Sequence, residues 1–145
     1  MNKPAISIQD VQAQLDASPF IAFMQMRCTE MDAAAGTIAM TMPMRAELER
    51  GAGSEQFHGG PIASLIDTVG DFAVAIVTGG SIPTINFRVD YLRPSMGSFL
   101  VGKAQLRRAG KTVGVVDVDV FDEQGRLTAV GRGCYAIPKS QSESQ

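Results

Sequence analysis

One histidine and one aspartate, nine residues apart, are the pair in this sequence best suited to chemistry. His58 is the chain's sole histidine; Gly59 and Gly60 follow it, and Asp67 lies within the apolar run FHGGPIASLIDTVGDFAVAIV from Phe57 to Val77. If that run is helical, the unpaired N–H groups of its first turn and the positive end of its dipole would hold an anion, or the oxyanion of an attacked carbonyl. The two glycines would let another group approach that backbone closely. Asp67 then falls mid-helix, about 150° round from the apolar stripe. Its neighbours there are Ala63, Gly70 and Val74, among which a carboxylate could gain the proton affinity of a general base. Taken singly both signals are weak, since a mid-helix aspartate is most often solvated and a histidine before two glycines most often belongs to a turn. Gly59 and Asp67 are about 12 Å apart along a helix, so one chain cannot place both on one carbonyl. Two chains with antiparallel helices about a two-fold axis could. Asp71, one turn beyond Asp67, adds a carboxylate whose repulsion raises one apparent pKa; it either positions water or is simply exposed.

The elements that must hold these groups follow from periodicity. Ile62, Leu65, Ile66, Val69, Phe72, Ala73 and Ile76 recur at helical spacing, and Pro61 suits a first turn, where its missing N–H is no loss. A shorter helix is expected near the N-terminus, opened by Ser7 and Asp10 as a capping box, faced by Ile8, Val11 and Leu15, and ended at Ser18-Pro19. Strands are expected over Phe20 to Thr29 and Gly36 to Met42, paired across the acidic turn near Asp32, with Pro43 to Gln56 a loop or helical turn. After the break at Thr78-Gly79-Gly80-Ser81, Pro83 to Arg93 alternates, with Ile85, Phe87, Val89 and Tyr91 on one face. Thr84 is expected on the opposite face, pointing at a partner. Ser98 to Arg108, Val116 to Val120 and Leu127 to Ile137 complete a four-strand meander, hinged at Pro94–Gly97, Ala109-Gly110-Lys111 and Asp122–Gly125. The expectation is an α+β fold, an antiparallel sheet of six strands around one long helix, in one domain over residues 1–137. The polar tail 138–145 is expected to be disordered.

Composition narrows the partners. An apolar fraction of 45% and a charged fraction of 19% belong to a globular chain and exclude a disordered one. A net charge of −2 argues against a nucleic-acid surface. Cys28 and Cys134 are far apart and expected to be free thiols in a reducing, cytoplasmic setting. With one histidine and two distant cysteines, no metal site and no cofactor is expected. No export signal, membrane-spanning run or membrane contact is expected either.

HGGPIASLID, the Gly-Gly break, the alternating strand ending YLRP and the GKT hairpin together resemble the hotdog-fold acyl-CoA thioesterases of the phenylacetate-degradation, or PaaI-like, type. The resemblance covers roughly Phe20 to Ile137. It implies a sheet wrapped round one helix, homodimers that often pair into homotetramers, and hydrolysis of an aryl or short- to medium-chain acyl-CoA. It implies that Asp67 is the catalytic carboxylate (base on water or itself the nucleophile), that the Gly59 N–H is the oxyanion donor, that His58 orients the thioester and that Thr84 places the water. Gly60, Asp71, Arg93, Arg108 and Lys111 would contribute to substrate or coenzyme A binding; Arg107 and Arg132 are further cations at strand ends and turns, where basic residues are usually only solubilising. Relatives commonly have Asn where this chain has Ala52, six residues before His58; Gln56 or Ser54 would have to substitute. A non-catalytic acyl-CoA-binding module and a hydroxyacyl-thioester dehydratase are the competing readings, the latter disfavoured by the His-to-Asp spacing.

Overall fold

The computed structural model describes residues 5–139. Helix α1, Ile8–Ala17, begins where the capping box was expected: the Ser7 hydroxyl accepts from the Asp10 N–H, and the Ser7 N–H donates to the Asp10 carboxylate at 2.8 Å. Val11 and Leu15 bury its inner face. The strand expected over Phe20 to Thr29 is not formed as such. Pro19 instead opens a second helix, α2 (Pro19–Met24), which Gln25 ends in the left-handed conformation at φ 54°. Only then does β1 start, Arg27–Asp32, paired with β2, Thr37–Pro43. Residues 44–56 are loop, with one 3₁₀ turn at Ala46–Leu48.

Helix α3, Gly59–Thr78, runs twenty residues. Contrary to expectation, it is long and apolar enough to span a membrane, but its apolar surface packs on the sheet. All seven residues of the apolar stripe are buried, and Thr68, Gly70 and Val74 with them. Half-buried positions remain along Ala63, Ser64, Asp67, Asp71 and Ala75, an i, i+4 stripe.

The strands that follow are β3 (Thr84–Tyr91), β4 (Phe99–Ala109), β5 (Val113–Asp122) and β6 (Leu127–Ala136). One antiparallel sheet results, in the order β1-β2-β4-β5-β6-β3, wrapped about α3. The expected four-strand meander is therefore only three strands long: β3 pairs with β6 at the far edge, not with β4. The Leu92–Ser98 connection is no hairpin, because it is anchored elsewhere. Both the Leu92 and Arg93 N–H groups donate to the Thr128 carbonyl, and the buried Ser95 hydroxyl donates to the Thr128 hydroxyl at 2.7 Å. The chain thus crosses the end of β6 and the head of α3 before β4 begins. Where strands pass close over the helix their residues are small, Gly102 against Leu65 and Val69, Gly114 against Val74 and Gly131 against Ile66.

Candidate active site

His58 caps α3. Its Nδ1 accepts from the Gly60 N–H at 3.0 Å, and its own N–H donates to the Leu48 carbonyl. Gly60's amide is thereby occupied by the histidine. The Gly59 N–H has no partner among the described residues and lies in the helix's first turn, where an oxyanion would be held. The Tyr91 hydroxyl, reaching in from β3, donates to the Gly59 carbonyl at 2.7 Å and fixes this corner. A hollow of about 360 Å³ opens here, lined by Gly59, Tyr91, Gln56, Arg50, Arg93 and neighbours.

Two turns along α3, Asp67 accepts a hydrogen bond at Oδ1 from the Thr84 hydroxyl, 2.8 Å away. The sequence placed these two together but mistook the face. Thr84 pairs with Tyr135, whose buried ring points at α3, so Thr84 faces the helix too. The register shifts between Thr84 and Asn86, and this bulge at Ile85 puts Thr84 on the same face as Phe87. Beneath Asp67, the Tyr135 hydroxyl donates to its backbone carbonyl at 3.1 Å, and Gly70 makes room for that ring. Tyr135 was not singled out from the sequence; the glycines at 70 and 133, which leave room for its ring, were the available signal.

Asp71 is half-buried beside Asp67. Loss of hydration, and then the Asp67 charge, push its pKa up to about 7. Tyr135 is pushed above its usual range by burial, then by the same two carboxylates.

The cations separate into two groups. Arg107 and Arg132 pair with Asp117, at 3.6 and 2.6 Å, and hold its carboxyl below the ordinary range. Arg93, Arg108 and Lys111 are exposed and form no ion pair among the described residues. Arg93 lies at the head of α3, whereas Arg108 and Lys111 flank the β4–β5 hairpin, whose Gly114 backs on Val74 late in the helix. Arg50, which the sequence did not single out, shares the hollow with Arg93. Ala52 is exposed in a loop fastened by the Glu49 carboxylate, which accepts from Gly53 and Glu55. The Ser54 hydroxyl oxygen is taken up by amides of that loop, while Gln56 lines the hollow with Gly59. Cys28 and Cys134 are free thiols, and burial pushes Cys28 up. Among the described residues no cluster of His, Cys, Asp and Glu could hold a metal ion.

An unpaired amide at the helix head and a hydroxyl-held carboxylate, groups that acyl transfer would call for, thus lie at two places on one chain. The sequence profile of the thioesterase superfamily matches residues 56–129, a span that holds both. A Halobacterium salinarum protein, named as an esterase on proposal only, is 32% identical over 138 residues, covering 88% of this chain and 89% of its own length. The acyl-coenzyme A thioesterase PaaI of Escherichia coli is 34% identical over 100 residues, 68% of this chain and 69% of that protein. The solved structure of the E. coli PaaI protein superposes with a TM-score of 0.79 at 26% identity, covering 91% of this chain and 93% of that one.

Proposed function

The chain belongs to the thioesterase superfamily, among its PaaI-like hotdog members, and on that premise we propose that it hydrolyses acyl-CoA thioesters at a site shared by two copies of the chain. The observation that carries this reading is the Thr84–Asp67 hydrogen bond, on the one stripe of α3 the sheet leaves uncovered and beside an unpaired edge strand. Gly59 and Asp67 each lie four residues from Ala63, so a two-fold axis near Ala63 would set each Gly59 opposite the partner's acid. Strand β3 supports that pairing, with an open backbone edge and with Ile85, Phe87 and Tyr91 exposed at 53%, 38% and 53%. In that arrangement Arg108 and Lys111 of one copy approach the helix head and Arg93 of the other, and the coenzyme's phosphates would lie among them.

The chemistry is a balanced hydrolysis. The Gly59 N–H polarises the thioester carbonyl and Thr84 holds Asp67 in place. Asp67 takes a proton from water while the water oxygen bonds to the carbonyl carbon. The C–S bond then breaks, the coenzyme thiolate leaves with the proton from Asp67, and the acid product remains. Attack by the carboxylate itself, with water resolving the anhydride, would use the same groups.

The test is thiol release from a panel of aryl and straight-chain acyl-CoAs by the wild type and by Asp67→Asn. The wild type should release thiol and the variant should fall by about 10²-fold or more. Release that persists in the variant would remove Asp67 from the mechanism. Binding without release would leave an acyl-CoA-binding module, and a fully active monomer would end the two-chain site.

A further inference from the structure

Asp67 and Asp71 are one turn apart on the same stripe, both half-buried. No lysine, arginine or histidine forms an ion pair with either among the described residues. The titratable group set against them from β6 is Tyr135, which supplies no positive charge. The Tyr135 proton is already donated to the Asp67 backbone carbonyl, and the Thr84 hydroxyl serves only Asp67. Two half-buried carboxylates so placed repel each other when both are charged, and no positive charge offsets that repulsion.

Resting on the hydrolytic reading above, we propose that Asp71 is a positioning residue for the reacting proton: its own ionisation sets how readily Asp67 takes a proton from water. The direction follows from where charge moves. In the ground state with Asp71 ionised, two negative charges face each other across one turn. In the transition state Asp67 is gaining a proton and the negative charge has passed to the oxyanion, farther from Asp71. Repulsion present only before the reaction is thereby relieved, and the chemical step is faster. Burial and the Asp67 charge place that ionisation at about 7, where it would be felt. Asp71 does not touch substrate in this scheme; it acts through Asp67.

The test combines a titration and a rate profile. Carbon-13 NMR of the aspartate carboxyls in the full chain should show one group titrating near neutrality, absent from Asp71→Asn. The wild-type kcat should rise roughly three- to tenfold between about pH 6 and 8. In Asp71→Asn that limb should vanish and leave the low-pH rate, whereas Asp71→Glu should restore it. A wild type with no carboxyl titrating above about pH 5.5, or an Asn variant that keeps the limb, would overturn the proposal. Failure of the wild type on every thioester would overturn the hydrolytic reading instead, and the titration would still decide whether Asp71 ionises near neutrality.

Discussion

Thr84 Oγ1 lies 2.8 Å from Asp67 Oδ1 and ties the first residue of β3 to the middle of α3. A hydroxyl donating to a carboxylate fixes its rotamer and leaves Oδ2 free for water, which is the arrangement a general base needs. Because the sheet covers the other sides of α3, the bond also marks where a substrate could enter.

That bond predicts coupled kinetics. Thr84→Ala should lower kcat by roughly 3- to 30-fold, and Thr84→Ser should stay within about threefold of wild type. In an Asp67→Asn background the alanine change should cost almost nothing further, since residues that act as a unit are not additive. Steady-state thiol release from the four proteins closes the cycle. Full additivity would show that the two side chains act separately.

Packing at the back of the site predicts stability. A Cβ on Gly70 would overlap the Tyr135 hydroxyl oxygen, and Tyr135 is fully buried. Gly70→Ala should destabilise the fold by about 1–3 kcal/mol through overpacking. Tyr135→Phe alone should cost about 1 kcal/mol for the lost bond to the Asp67 carbonyl. Urea midpoints measure both, and a Gly70→Ala chain as stable as wild type would refute the close fit.

What could be read beforehand divides along physical lines. The central helix was legible because seven apolar residues kept the helical period without a break, and all seven are buried. The α1 cap was legible because two residues at fixed spacing satisfy each other's donors. Helix α2 was not, because six residues are too few to show a period and Phe20 and Phe23 are more than 45% exposed. Phe23 is covered instead by Arg45, whose guanidinium lies 4.5 Å above its ring. The place of β3 was hidden as well, since which strand lies beside which was decided by Thr128 holding the Leu92–Arg93 backbone, a contact distant in sequence. The bulge at Ile85, which turns Thr84 towards the helix, leaves no mark in an alternating pattern.

Acid sensitivity should be localised at the β5–β6 turn. Burial alone would push Asp122 up, but the Arg126 and Gln124 amides and the Arg126 guanidinium outweigh it and hold the carboxyl below its ordinary value of 3.8. A carboxyl depressed in the folded state stabilises it at pH above the unfolded value, and this is lost as pH falls below that value through the folded one. Asp122→Asn should therefore be less stable than wild type at neutral pH, and the gap should close in acid. Thermal melts across pH would show this, and a gap that is constant with pH would contradict it.

The open edge of β3 should govern assembly and activity together. Phe87 lies on the helix-facing side of this edge strand yet is 38% exposed, and Phe87→Lys should weaken self-association by about 10²-fold or more. Sedimentation should show monomer at concentrations where the wild type is dimeric, with thiol release lost in proportion to the dimer. A monomeric variant at full activity would contradict the shared site.

The last prediction concerns Ala52, where the resemblance leads one to expect an asparagine. Ala52 is exposed, so Ala52→Asn should fold normally and add an amide donor in the loop that leads to α3. Ser54 is engaged within its own loop, whereas Gln56 lines the hollow beside Gly59 and is the residue placed to act in its stead. If the Gln56 amide hydrogen-bonds the thioester carbonyl, Gln56→Ala should lower kcat by about tenfold or more, as loss of one preorganised donor does. Ala52→Asn added to Gln56→Ala should then recover most of that loss, while Ala52→Asn alone should change little. Thiol release from the three variants reads this directly. Should Gln56→Ala be silent and Ala52→Asn alone raise the rate, the hollow would be lacking a donor that no other side chain replaces, and Gln56 would be only part of its wall.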